Sequence, residues 1–233
     1  MSASDGRFIG HTQECRSARP LRSVTILTTD NMPSKSQSAL NDRLKDVDQL
    51  LAAHTALTKF KKAESAAKNL GGGLNQVAAV VNALVQAPGK GKPAEVDAIN
   101  RAAFVLLCAH FQGFVDDLHK ELADKLLTGK VASVDEIVKL AKQRNANPHP
   151  DVIAKMFGGL GVFEVMDGIK WQKCANKSVK SRLTGYIEAR NKIAHGSKEK
   201  ITKQRVQQFK GFVEKLAAEL DESVRAAALK VID

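Results

Sequence analysis

The segment from residue 94 to about residue 128 constrains the fold more than any other part of this sequence. Its apolar residues recur at spacings that cover much of the circumference of an α-helix. A helix with so little polar surface has to be covered by other helices, so the segment predicts the central helix of an all-α bundle. The apolar residues are Phe104, Val105, Leu107, Cys108, Phe111, Phe114, Val115 and Leu118.

Other segments share the helical period, and together they indicate five or six main helices. One begins near Ser38 and stops at the three glycines of residues 71–73. After the central segment, Ser133 and Glu136 have the spacing of a capping box, which predicts a helix that runs to about residue 144. The remaining predicted helices cover about residues 74–86, 151–157, 178–195 and 202–229.

The composition divides the chain into a flexible N-terminal tail, residues 1–37, and one helical domain, residues 38–233. The tail mixes Ser, Thr, Gly, Pro and scattered charges without a helical period. Its one strand-like pattern, residues 23–29, is isolated. Met32 is a candidate alternative start, in which case residues 1–31 would not be native.

Cysteine usage and apolar run lengths bear on the compartment. Cys15, Cys108 and Cys174 are too widely spaced for a Cys-x-x-Cys pair, so we expect reduced thiols, no zinc site and no disulfide framework. The longest continuous apolar stretch, residues 102–109, is too short to span a bilayer. The N-terminus lacks the apolar run of a secretion signal. These features predict a soluble, cytoplasmic protein that does not enter a membrane.

The net charge of +11 lies almost entirely between Lys170 and Lys210. That segment contains twelve Lys or Arg residues and only two acids, Glu188 and Glu199. A basic surface of this kind is typical of proteins that bind phosphates, so we expect RNA as a partner. The alternative is a solvated, lysine-rich helix face.

Inside this basic segment, four residues separate Arg190 from His195 at the end of a predicted helix. Arginine binds phosphate oxygens through a planar fork, and histidine transfers protons near neutral pH. RNA supplies its own nucleophile, the 2′-hydroxyl, so such a pair could cleave it with no metal and no cofactor. The products would be a 2′,3′-cyclic phosphate and a 5′-hydroxyl. The alternative is a histidine that only interacts with the helix dipole.

The neighbours of this pair extend the candidate site. Asn191 and His195 are four residues apart and share a helix face, so Asn191 is placed to orient the imidazole or a substrate oxygen. Gly196 has the position of a glycine just beyond a helix C-terminus. The predicted RNA-binding residues are Lys192, Arg182, Arg101 and Lys198. For Arg101, an ion pair with Glu95 or Asp97 is an equal alternative.

Five other side chains have structural interpretations. His110 lies within the apolar central helix and is expected to be a hydrogen-bonded core histidine. His119 and Glu121 indicate a solvated helix end rather than a metal site. Trp171 and Phe163 are expected to pack the glycine-rich segment 158–176 against the domain.

The stretch from Ile187 to Gly196 resembles the signature helix of the HEPN superfamily, in which an Arg, often followed by a polar residue, precedes a His. Residues 100–118 and 144–157 are similar to the RiboL-PSP-HEPN branch, and the likeness spans about residues 95–225. It implies a HEPN-like helical bundle that forms homodimers, with the signature helices of both subunits at a shared cleft.

The same resemblance implies endoribonuclease activity in toxin–antitoxin, phage-defence or RNA-processing roles, with an antitoxin protein as a possible partner. Arg190 and His195 would be catalytic, with Asn191 as polar support. Gln112 stands where the family commonly has a carboxylate, which Asp116 or Asp117 would have to replace. Ser197 stands where some relatives carry a tyrosine that is nucleotidylated, so that form of control is not expected.

Two other functions fit the same residues. One is an RNA- or nucleotide-binding HEPN module without catalysis, which the Gln112 departure favours. The other is a helical interaction protein whose basic face binds an acidic partner protein.

Overall fold

A computed structural model describes residues 32–70, 94–127, 134–141 and 147–232 of the chain. Within these ranges the chain forms six helices: α1 (Lys35–Leu70), α2 (Ala94–Leu127), α3 (Val134–Ala141), α4 (Pro150–Gly158), α5 (Asn176–Ala194) and α6 (Lys203–Ile232). Extended pairing in the described residues is limited to one isolated bridge between Trp171 and Cys174. The prediction of an all-α fold is therefore confirmed.

Three sequence predictions fall outside the described residues: the helix over 74–86, the Ser133 cap and the strand-like pattern at 23–29. The tail predicted over residues 1–37 falls there too, except for its last six residues.

The first helix begins at Lys35 rather than near Ser38. The Ser34 hydroxyl accepts a hydrogen bond of 3.0 Å from the Gln37 backbone N–H, which is the bond that an N-cap serine makes. Ser34 and Gln37 have the spacing of a capping box, so this helix start could have been predicted from the sequence. Residues 35–37 are therefore helical and do not belong to the predicted tail.

Helix α2 is the centre of the bundle, as its sequence predicted. It contacts α1, α5 and α6 as well as the two short helices. Its Phe104, Leu107 and Phe114 are completely buried. Phe104 lies 4.9 Å from the Phe209 ring of α6, centroid to centroid. Burying several aromatic and aliphatic side chains at one helix stabilises the domain by about 2 kcal/mol for each side chain.

Length and composition alone would allow the part of α2 between Val96 and Leu127 to cross a membrane. The apolar run of residues 102–109 is too short to span a bilayer, because it stops at the first polar residue. A longer window that tolerates a few polar residues is apolar enough. The central helix of a soluble protein has the same properties, and α2 occupies that position here. Within the described residues, this helix packs against the other five helices of the bundle.

The segment between α4 and α5 contains turns and irregular backbone, as its glycines indicated. Trp171 packs edge-on against Phe212 at 5.6 Å and anchors the segment. Phe163 does not, since it is 74% exposed and the prediction that it packs inward was wrong. The interior positions of this turn are occupied instead by Val162 and Val165.

Two histidines of α2 have different surroundings. His119 is only 1% exposed, its Nε2 lies 3.0 Å from the Met156 carbonyl oxygen, and the solvated helix end predicted there was wrong. The packing of α4 over this end of α2 is the reason. His110 is partly buried and lies 3.5 Å from Asp46 of α1. Burial lowers the pKa of His110 and outweighs the attraction of Asp46.

Candidate functional site

The C-terminal end of α5 has a cap that explains the order of residues around His195. The Gly196 N–H donates to the Ile193 carbonyl at 3.0 Å, and the Ser197 N–H donates to the Lys192 carbonyl at 2.9 Å. These two bonds form a Schellman motif, which requires a left-handed residue just beyond the helix. Gly196 supplies it with φ of 81°. The position predicted for Gly196 is thus confirmed, and His195 is the capping residue, exposed at the surface.

Arg190 lies on the side of α5 that faces α2. Its side chain is half-buried, and its Nη1 donates a hydrogen bond of 3.2 Å to Oδ1 of Asn191. Burial raises the pKa of the Cys108 thiol on α2 to about 12, and the nearby positive charge of Arg190 acts in the opposite direction. The guanidinium therefore lies close to the middle of the central helix.

Asn191 connects Arg190 to the segment before α4. Its Oδ1 accepts a second hydrogen bond, of 3.0 Å, from Nδ2 of Asn147. No hydrogen bond between the Asn191 side chain and the His195 ring is found among the described residues. The structure thus gives no support to Asn191 as a residue that orients the imidazole, and its role toward a substrate oxygen stays a prediction.

Asn147 is a site residue that was not predicted from the sequence. The contact with Asn191 joins residues 44 positions apart, and no periodic pattern or motif spacing could reveal it. The one usable signal was the run of asparagines and prolines at residues 145–150, which is typical of a rigid, polar turn.

Arg190 and His195 occupy the same end of α5 but differ in exposure. Five residues correspond to about 7.5 Å along a helix axis and about 140° around it. Arg190 is half-buried beside α2, whereas His195 is exposed beyond the last helical turn. A phosphodiester that contacted both side chains would lie across the terminus of the helix.

The charge of Arg190 is not neutralised within the described part of the chain. Some other arginines have acidic partners: Arg43 pairs with Asp117 at 2.7 Å, and Arg205 pairs with Glu199 at 3.3 Å. For Arg190, the hydrogen-bond acceptor is a neutral amide oxygen. A half-buried guanidinium without a carboxylate retains its charge for an incoming anion.

Lys192 and Lys198 flank this end of α5, and both are exposed. As with Arg190, no carboxylate pairs with either lysine among the residues that the structure describes. The geometry therefore leaves both ammonium groups available to solvent or to an anionic ligand.

Arg182 is placed differently from the other predicted RNA-binding residues. It lies on α5 about 12 Å before Arg190, given the rise of a helix. Its guanidinium carbon stands 5.2 Å from the centroid of the Phe212 ring. A hydrogen bond to the Tyr186 side chain is the main cause of its raised pKa. The structure does not bring Arg182 together with Arg190 and Asn191.

Arg101 lies half-buried near the N-terminal end of α2. It precedes Cys108 by seven residues, about two turns, so the two share a helix face. The adjacent Asn100 donates a hydrogen bond of 3.1 Å to the Ile201 carbonyl in the segment between α5 and α6. Arg101 is thus on the side of α2 that faces the candidate site.

Asp117 does not supply the carboxylate that Gln112 replaces. Gln112 follows Cys108 by one helical turn and lies on the same side of α2. Asp117 is half a turn of rotation away from Cys108 and pairs with Arg43 of α1. In the described ranges, no group of three or more His, Cys, Asp or Glu side chains is arranged to hold a metal ion.

One protein-family model, described as RiboL-PSP-HEPN, matches residues 74–226. The matched range covers all of α2 to α5 and most of α6, and it includes every predicted site residue. No curated protein and no solved structure has significant similarity to the chain.

Proposed function

We propose that this chain, which belongs to the RiboL-PSP-HEPN family, is a metal-independent endoribonuclease. Arg190 and His195 would be its catalytic residues, and Asn191 would support them. Lys192, Lys198 and Arg101 would hold the RNA backbone, and Arg182 would add a more distant phosphate contact.

The chemistry requires one proton acceptor, one proton donor and one stabilising cation. His195 takes the proton of the 2′-hydroxyl, the oxygen attacks the adjacent phosphorus, and the bond to the 5′-oxygen breaks. Charge builds up on the phosphorane oxygens, where the Arg190 guanidinium stabilises it. A second His195, supplied by the other subunit of a homodimer, would protonate the departing 5′-oxygen.

The observation that carries the proposal is the state of Arg190. Its guanidinium is half-buried and donates a hydrogen bond to a neutral amide oxygen. Among the described residues it forms no ion pair with a carboxylate. An exposed histidine, His195, lies at the same end of the helix. Arg43, in contrast, has its charge offset by the carboxylate of Asp117. A phosphate oxygen is the complementary ligand.

The cellular setting is inferred from the family and the charge. We expect a cytoplasmic toxin or phage-defence effector, held inactive by an antitoxin protein. An acidic antitoxin could bind the basic segment 170–210 and compete there with RNA.

The test is to incubate the purified protein with mixed RNA in EDTA and to analyse the ends of the fragments. Cleavage should leave 2′,3′-cyclic phosphates and 5′-hydroxyls. His195→Ala should lower the rate by roughly 10²–10⁴-fold, and Arg190→Ala by roughly 10²–10³-fold. Cleavage that survives both substitutions, or that requires a divalent metal, would refute the proposal.

A second candidate is an RNA-binding module without catalysis. Gln112 favours it, because this amide lies on the α2 face next to Arg190 where the family resemblance implies a carboxylate. Such a module would bind RNA in a salt-sensitive manner and leave its ends intact in the same assay.

A further inference from the structure

We infer that Asn147 is a positioning residue of the site, which acts on the reaction by holding Asn191 and, through it, Arg190. The inference rests on the proposed nuclease function. Its basis is the pair of hydrogen bonds that converge on Oδ1 of Asn191, 3.0 Å from Nδ2 of Asn147 and 3.2 Å from Nη1 of Arg190.

The donor properties of arginine determine the direction of this network. A guanidinium has only donors, so the Asn191 atom that faces Arg190 has to be the carbonyl oxygen. That oxygen can only be satisfied from the other side by a donor, which is the amide nitrogen of Asn147. The NH₂ group of Asn191 is then directed away from both partners. It becomes a donor for a substrate oxygen.

Asn147 is held by rigid surroundings. It precedes Pro148, which restricts its backbone, and its carbonyl accepts a hydrogen bond of 2.7 Å from the His149 N–H. Pro150 then begins α4, whose Ile153 and Phe157 are completely buried in the core. The carboxamide of Asn147 is thus tied to the core through a stiff connection of a few residues.

A rigid support of this kind matters because catalytic side chains lose efficiency when they are free to rotate. Without Asn147, the Asn191 amide could turn, and its oxygen would no longer hold Arg190. The guanidinium would then sample orientations that miss the phosphorane oxygens. The predicted effect falls on kcat more than on KM, since Lys192 and Lys198 would still bind the RNA backbone.

The deciding experiment is a double-mutant cycle measured on RNA cleavage. Asn147→Ala should lower kcat/KM on the order of ten-fold. In the Asn191→Ala background, the same substitution should change kcat/KM by less than about two-fold, because the residue through which it acts is already gone. If the two losses multiply instead, Asn147 does not act through Asn191 and the inference is refuted.

Asn147→Asp is the isosteric second variant. It keeps the shape but places an acceptor opposite the Asn191 oxygen, so it should lose at least as much activity as the alanine variant. Wild-type activity in Asn147→Asp would also refute the inference.

Asn176→Ala is the matched control for general structural damage. It removes the two hydrogen bonds that Nδ2 of Asn176 donates to the carbonyl oxygens of Met166 and Ile169, at the opposite end of α5. Its melting temperature should fall, with kcat/KM unchanged. A loss of kcat/KM equal to that of Asn147→Ala would show that any lost asparagine impairs cleavage, and would count against the inference.

An inactive wild type would refute the proposed nuclease together with this inference, whereas the outcomes above refute the inference alone.

Discussion

At the scale of single residues, the site depends on how one guanidinium is balanced. Arg190 touches a neutral amide oxygen and approaches the Cys108 thiol, whose raised pKa keeps it uncharged at neutral pH. Neither group cancels the positive charge. The planar fork of arginine can hold Asn191 with one nitrogen while presenting other N–H groups to a phosphate.

Replacing Arg190 by lysine therefore tests geometry separately from charge. Lysine keeps the charge but has no fork, so it cannot bond Asn191 and clamp a phosphate in fixed orientation. We expect kcat to fall by roughly 10–100-fold, with RNA affinity changed by less than about three-fold. Steady-state cleavage and binding to a 2′-deoxy analogue measure the two quantities.

The matched control is Arg43→Lys, which makes the same exchange at an arginine paired with Asp117 on another side of α2. Its kcat should equal that of the wild type. An Arg190→Lys variant with undiminished kcat would show that charge alone suffices.

At the scale of helices, the termini determine where the candidate site residues lie. The Schellman motif ends α5 at Ala194 and leaves His195 exposed on the cap. The rigid turn before α4 brings Asn147 to Asn191. Both arrangements depend on residues with restricted or special backbone conformations, glycine in one case and proline in the other.

The glycine of the α5 cap gives a prediction with an internal control. Gly196→Ala places a side chain on a residue with φ of 81° and should lower the free energy of unfolding by about 1 kcal/mol. Gly185→Ala changes a glycine within the same helix, where an added Cβ has open space, and should raise it by about 0.5–1 kcal/mol. Urea denaturation distinguishes the two, and effects of the same sign would contradict the assignment of the cap.

At the scale of the whole molecule, the apolar core draws on several helices, whereas the excess positive charge is concentrated in one segment of the sequence. The core surrounds α2 with apolar side chains from α1, α5 and α6. The excess positive charge lies in the segment that contains α5 and the start of α6. Part of that charge is paired, for example Lys210 with Asp48 at 2.9 Å, whereas Lys192 and Lys198 are exposed.

This distribution predicts how RNA affinity depends on salt. In a His195→Ala background, removing Lys192 and Lys198 together should reduce the slope of log affinity against log salt concentration by about 1.4, since each contact to a single strand releases about 0.7 counterion. The control removes Lys45 and Lys120 instead, which takes away the same number of positive charges. Lys45 pairs with Asp42, and Lys120 pairs with Asp135. That control should leave the slope unchanged, and equal slopes in the two double variants would contradict a localised RNA surface.

Helices and caps could be predicted from the sequence because they depend on neighbouring residues. The apolar period of residues 94–128 anticipated α2, and the position of Gly196 after a helical stretch anticipated the end of α5. The capping pattern of Ser34 and Gln37 is equally local and marks the start of α1. The family resemblance rested on the same local signature, and the matching family model covers it.

What the sequence determined by itself was the all-α class, the central helix and the residues gathered at one helix end, since period, capping and composition act over a few residues. Only the tertiary structure decided that His119 is buried, that Phe163 is exposed, and that Asn147 donates a hydrogen bond to Asn191. These outcomes depend on which helix faces cover one another. Such contacts join residues far apart in the chain, and the free energy of packing selects them from many local arrangements that the sequence pattern alone allows.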